Sequence, residues 1–257
     1  MLFIRLRLYC EMVLFSAELT VIKDSIIKIS DKVARDYVEL EILQNSQRSP
    51  DQFVEMTIDF IRKKMFEYFK SKKPHYDIIF QGENNKGIDF KSEYRYLITP
   101  MCGKINLIHA IPYFSISVAL LKRNKDGEYK TVCGLIDNPI TQETYLAEEG
   151  RGAYVNSRRI RISSRPNLDD AFVVIKNVDD RDFICSCIKK YKNITVTNCE
   201  ILNICSVASG KYDLTVLNKA ADYQELALLL FKEAGGIIKT TENGEVVLCN
   251  ELLSSKI

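Results

Sequence analysis

Between Tyr96 and Asn156 the chain passes through five short apolar stretches, each bounded by turn residues, and that rhythm points to a meandering sheet. The stretches are Tyr96–Ile98, SISVALL, TVCGLID, ETYLAEE and GAYVN, and Lys, Asp, Gly or Pro fill the gaps. The segment from Pro100 to Lys104 is expected to break the first of these strands. Upstream the period changes. Apolar residues recur at helical spacing from about Phe15 to Leu43 and again from Val54 to Phe69, with the polar stretch SQRSPDQ joining two long helices. YDIIFQG then reads as a short buried strand ending in glycine. Beyond Pro166, AFVVIK and KYDLTVL are expected strands among helical stretches, and ELALLLFKEAGG is a helix closed by Gly235 and Gly236.

This order implies a layered α/β (α+β) protein. We expect residues 1–165 to form an N-terminal half with two long helices and a large, mostly antiparallel sheet. Residues 166–257 form a C-terminal α/β half, and the two make one structural unit. A length of 257 residues is enough to bury such a core.

Charge excludes little but is informative. The formal net charge is +2, so no surplus calls for nucleic acid or an anionic membrane. Arg158, Arg159, Arg161 and Arg165 form a local basic group, best read as a solvated strand edge and loop. The opening MLFIRLRLYCEMVLF is interrupted by Arg5, Arg7 and Glu11, and reads as the start of an amphipathic helix rather than a leader. Eight cysteines include no C-x-x-C pair, and with only His75 and His109 no zinc site of ordinary spacing can be written. Free thiols in a reducing cytoplasm are the expectation. Cys185 and Cys187 would share one face of a strand. Gly103 and Lys104 do not belong to a P-loop, since Ile98 takes the first glycine position and Ile105 follows the lysine. His109, in LIHAIP, is expected to be a partly buried structural residue.

Several stretches in fixed order carry a resemblance. TPMCGK at Thr99–Lys104, DNPITQETYLAEEGRGAYVN, VASGKYD and LLLFKEAGGIIK, with the pair Gly82–Glu83, are similar to the landmarks of the inositol monophosphatase family. The nearest likeness is to its bacterial extragenic-suppressor (SuhB-like) members. The resemblance implies a five-layer αβαβα sandwich, usually a homodimer, that hydrolyses small phosphate monoesters with magnesium. It also implies ties of SuhB-like members to RNA polymerase and antitermination factors.

That chemistry needs several hard carboxylate ligands converging on one point. The family supplies them from G-E-E, D-P-x-D-G-T and W-D elements. Here Glu83 is present and Asn84 replaces its neighbour. Thr99 and Cys102 stand where two aspartates are expected, and Lys104 stands in place of the threonine. The W-D pair falls on Asp222–Tyr223, leaving Asp222 one residue early as a weak metal candidate beside Glu83. The early V-T-x-x-D element drifts to Val54, Glu55 and Asp59. The resemblance therefore implies a catalytically impaired or inactive pseudophosphatase, with no intact catalytic set and no cofactor, or magnesium if activity remains. A phosphate or sulfate could still be held at Gly103 and Lys104, or Lys104 could instead fill an acidic pocket around Glu83. The alternatives are a magnesium-dependent phosphatase on inositol monophosphate or a similar monoester, an interaction protein of the transcription machinery, and a product with no selected activity.

Overall fold

The computed structural model describes residues 15–44, 49–83, 91–176, 180–218 and 224–257. The expected helix at the N-terminus before Phe15, and the positions Asn84, Asp222 and Tyr223, lie outside the described residues. The first long helix, α1 (Ala17–Leu43), begins at Ser16, whose hydroxyl accepts the Leu19 amide at 3.3 Å and satisfies one open donor of the first turn. Leu19, Ile22, Ile26, Ile29, Val33 and Leu40 form its buried stripe at three- and four-residue spacing. α2 (Pro50–Lys72) opens on a proline, where no amide hydrogen is needed, and buries Val54, Ile58, Ile61, Met65 and Phe69. A polar contact locks the two together: Thr57 donates to Asp36 at 3.0 Å, and Lys32 pairs with the same carboxylate.

Both helices pack on one face of a seven-stranded sheet. Its strands β1 (Asp77–Phe80), β2 (Tyr94–Cys102), β3 (Ser115–Arg123), β4 (Tyr129–Asn138), β5 (Glu143–Glu148), β6 (Gly152–Val155) and β7 (Arg158–Arg159) lie in sequence order. Every pairing is antiparallel except β1 with β2. Ile116, Val118 and Leu120 of β3 face the two long helices, while Ala119 and Leu121 face a second core. A strand covered on both sides has no polar face, which is why SISVALL reads as a continuous apolar run.

The second core holds α5 (Glu200–Ala208) and α6 (Glu225–Glu233) between the large sheet and a five-stranded one. That second sheet comprises β8 (Phe172–Lys176), β9 (Asn193–Thr197), β10 (Leu214–Leu217), β11 (Ile237–Thr240) and β12 (Val246–Cys249), ordered β11-β12-β10-β8-β9. α5 is buried along its whole length, as a helix between two sheets must be. A third core under the outer face gathers Phe183 and Cys187 of α4 (Arg181–Lys190) and Leu253 of α7 (Glu251–Ser254). Helices, sheet, helices, sheet, helices: the five-layer αβαβα sandwich is the observed architecture. Among the described residues, no helix is long and apolar enough to cross a membrane.

Three expectations need correction. β2 does not stop at Ile98 but runs through Pro100 to Cys102. The register slips between Thr99 and Cys102, and the proline falls in this bulge, where its missing N–H breaks no regular ladder. Cys185 and Cys187 lie on α4, not on a strand, so two-residue spacing separates them: Cys187 is buried and Cys185 exposed. His109 is exposed at the C-terminus of the short helix α3 (Lys104–Ile108) rather than partly buried. Arg158 and Arg159 are the exposed edge strand that their solvated reading anticipates. The cysteines of the described residues are free thiols.

The first core carries a pH dependence. Burial, reinforced by Glu148, raises the Cys133 thiol from 9.0 to about 12, and burial with Glu18 raises Tyr76 from 10.0 to about 12. Burial pushes Tyr96 up as well. The unfolded chain loses these protons first, so it binds fewer than the native state across this range, and stability falls as pH rises. The contribution is fully present below pH 9 and is lost between there and about pH 12. Urea midpoints measured at pH 8, 9.5 and 11 should fall at each step, and Cys133→Ala should flatten the first part of the decline. A constant midpoint would contradict this assignment.

Candidate functional site

The bulge at the end of β2 builds the site. Thr99 pairs with Ser117 and Cys102 with Ser115, so Pro100 and Met101 together oppose one residue and the strand turns out of its plane. Gly103 follows at φ +86°, and a Cβ there would stand 3.0 Å from the Tyr113 carbonyl oxygen and from Cys199 Cβ. Only glycine fits both the backbone and the space. α3 starts immediately after it, with Lys104 as its first residue.

A cavity of about 220 Å³ opens beside this turn, lined by Glu55, Ile58 and Arg62 of α2, Gln81 after β1, and Pro100, Met101 and Lys104. Glu55, Ile58 and Arg62 are three and four residues apart, hence on one face of α2. The Lys104 ammonium forms an ion pair with Glu55. Arg62 reaches Asp59 at 3.3 Å and Glu83 at 3.9 Å. Gln81 continues the β1 ladder by donating its amide to Ile98 at 2.8 Å, and Glu83 follows the turn at Gly82. These pairs are half exposed, so each contributes at most about 1 kcal/mol.

The structure thus brings Glu83, Lys104, Glu55 and Asp59 to one region through Arg62 and the cavity wall. Thr99 and Cys102 do not line this cavity. Thr99 is buried within β2. The Cys102 thiol turns towards the C-terminal half, where Cys199 Sγ lies at 3.4 Å and donates to it. That hydrogen bond, opposed by burial, lowers the Cys102 thiol below the ordinary range, while burial holds Cys199 well above it. Glu200, the next residue along, is a buried carboxylate that accepts from Gln224 and has Lys176 Nζ at 4.0 Å.

A network of amides joins the turn to the C-terminal half. Asn106 donates to the Tyr113 carbonyl at 2.6 Å and accepts from Asn198 at 3.2 Å. Tyr113 and Thr197 both donate to Asn203 Oδ1, at 3.0 and 2.7 Å. Arg62, Glu200 and Asn203 were not singled out from the sequence. Signals for them existed: Arg62 sits two helical turns from Glu55, Asn203 is the polar residue inside the otherwise apolar ILNIC stretch, and Glu200 immediately precedes that stretch. Among the described residues, no group of three or more His, Cys, Asp or Glu side chains converges to hold a metal ion.

Five alternating layers, with a bulge-to-helix turn at the end of β2, define a layered protein of the sugar-phosphatase type. The chain belongs to the inositol monophosphatase family, whose model matches residues 16–254. It is 30% identical over 239 residues to an inositol-1-monophosphatase of Rhizobium meliloti, covering 89% of this chain and 87% of the relative. It is 27% identical over 224 residues to the Nus factor SuhB of Pseudomonas aeruginosa, covering 83% and 75%. The extragenic suppressor protein suhB of Bartonella henselae superimposes with a TM-score of 0.78 at 25% identity, over 94% of this chain and 97% of that one.

Proposed function

We propose that this protein is a pseudophosphatase: a family scaffold in which the charges of the magnesium site have been replaced by internal ion pairs. The observation that carries the reading is the Lys104–Glu55 pair in the cavity beside Pro100 and Met101. Magnesium requires hard oxygen donors in near-octahedral array, and an ammonium in their midst repels it. The described donors do not fit the ion. Glu83 is turned to Arg62, Thr99 is a buried neutral hydroxyl, and the Cys102 thiol is a soft donor engaged with Cys199. Asp222 lies outside the described residues.

The same ion pair bears on two roles for Lys104. A phosphate or sulfate at Gly103 and Lys104 would compete with Glu55 for the ammonium, so filling an acidic pocket is the role the geometry supports. Titration calorimetry with magnesium chloride tests the reading. No saturable binding is expected at concentrations up to the millimolar range. Saturable sub-millimolar binding would overturn it and direct attention to Glu83 and Asp222.

The named relatives favour two companion readings. Likeness to inositol-1-monophosphatases supports residual magnesium-dependent hydrolysis of inositol monophosphate or a similar monoester. Likeness to Nus factor SuhB supports a scaffold that engages RNA polymerase or antitermination factors without turnover. Exposed Val38 and Ile42 on α1 and Ile105 on α3 offer apolar surface for such contacts. Capture of polymerase subunits by the tagged protein, at a stoichiometry unaffected by chelator, would support the second of these, and their absence would remove it.

A further inference from the structure

The buried junction between the two halves holds a pair of thiols that the proposed function does not use. Cys102 closes β2 in the large sheet, and Cys199 is the N-cap of α5, 97 residues later. Their sulfurs are 3.4 Å apart, and Cys199 Sγ also lies 3.4 Å from the Cys102 carbonyl oxygen and 3.7 Å from Ser115 Oγ. The backbones approach closely here, since a Cβ on neighbouring Gly103 would meet Cys199 Cβ at 3.0 Å. Cys199 is fully buried, whereas Cys102 is partly exposed as a residue.

We propose that Cys102 and Cys199 form a peroxide-sensitive dithiol, oxidised to a disulfide that staples the large sheet to α5. The step balances with hydrogen peroxide as oxidant. Cys102 ionises, its thiolate attacks one peroxide oxygen, the O–O bond breaks, and the leaving hydroxide takes the proton released by the thiol, so that a sulfenic acid and water result. Cys199 then attacks that sulfur, its proton leaves with the hydroxyl as a second water, and the S–S bond forms. Two thiols are oxidised by two electrons and one peroxide is reduced.

Geometry assigns the two roles. Cys102 is the partly exposed residue of the two, and its sulfur accepts a hydrogen bond from Cys199 that favours its thiolate. Cys199, sealed behind it, is placed to resolve the sulfenic acid before a second peroxide arrives. Of the other buried thiols, Cys133 lies in the first core and Cys187 and Cys249 in the third, while Cys205 shares the second core, further along α5. The inference does not depend on whether the protein turns over phosphate, because it concerns the thiols and not the cavity at Lys104.

The experiment uses the full chain, reduced and then treated with stoichiometric hydrogen peroxide. Remaining thiols are alkylated before intact mass measurement and peptide mapping. The expected first product is about 2 Da lighter than the reduced chain before alkylation, with a Cys102–Cys199 cross-linked peptide that dithiothreitol reverses. Its melting temperature should rise by roughly 5 °C or more, since the bond closes a long loop. Cys185→Ser should keep the product, and Cys199→Ser should lose it and accumulate more highly oxidised Cys102. Mapping in the wild-type chain decides the matter even if a variant folds poorly. A first cross-link between any other pair, or Cys102 sulfinic acid without a cross-link, would overturn the proposal.

Discussion

Incubated with inositol monophosphate and magnesium, the purified protein is expected to release phosphate at least on the order of 10³-fold more slowly than the Rhizobium meliloti inositol-1-monophosphatase assayed beside it. The size follows from counting losses. On the proposed reading, Thr99 and Cys102 take the place of two anionic ligands, and Lys104 puts a cation, paired with Glu55, where the family has a neutral hydroxyl. Disturbing even the outer support of one metal ligand commonly costs roughly tenfold to a hundredfold, and these replacements act on one centre. The restoring variant Thr99→Asp, Cys102→Asp, Lys104→Thr provides the matched measurement. Without metal it should be less stable than the wild type, because Thr99 is buried and an ionised aspartate there lacks a counter-charge. Magnesium should raise its melting temperature and leave that of the wild type unchanged, since an ion bound only by the native state stabilises it. Wild-type turnover at the rate of the relative would sink the pseudophosphatase reading. A melting temperature of the variant indifferent to magnesium would show that these three positions do not constitute the metal site.

Gly134→Ala should cost about 3 kcal/mol and lower the melting temperature by roughly 10 °C. Gly134 lies mid-strand in β4, paired with Ala119 on one side and Ala147 on the other. This row of small residues lets α6 press against the sheet. A Cβ at Gly134 would sit 2.5 Å from the Val118 carbonyl oxygen and 2.6 Å from Leu226 Cδ1. Leu226 can rotate only at the expense of its own packing, and the Val118 oxygen is backbone in the central strand pair, so relief requires the sheet or α6 to move. Gly150→Ala is the control: nothing stands within 4 Å of its Cβ, and only the φ of +73° opposes the change. It should cost about 1 kcal/mol. Equal melting temperatures for the two variants would mean that α6 does not seat on β4 as described.

Local physics accounts for how much of the fold was legible. The stripes of α1 and α2, the strand rhythm from Ser115 to Val155 and the glycine stop after α6 are patterns within single elements, and the chain displays them directly. At Pro100 the rule that proline ends a strand failed, because a bulge excuses the missing donor. At Cys185 and Cys187 the period itself was misread, since a ten-residue helix with little apolar content gives few repeats to count.

The candidate site divides along the same line. The sequence by itself determined the family, the five layers, and the identities at Glu83, Thr99, Cys102, Gly103 and Lys104, because those depend on order along the chain. What each residue faces was decided only by tertiary structure. Lys104 meets Glu55 across 49 residues, and Cys102 meets Cys199 across 97. Thr99 points into the core while its neighbours line a cavity. The physical reason is that side-chain direction at a bulge, and the approach of a second half to it, are set by packing between layers, which leaves no periodic trace in either segment alone.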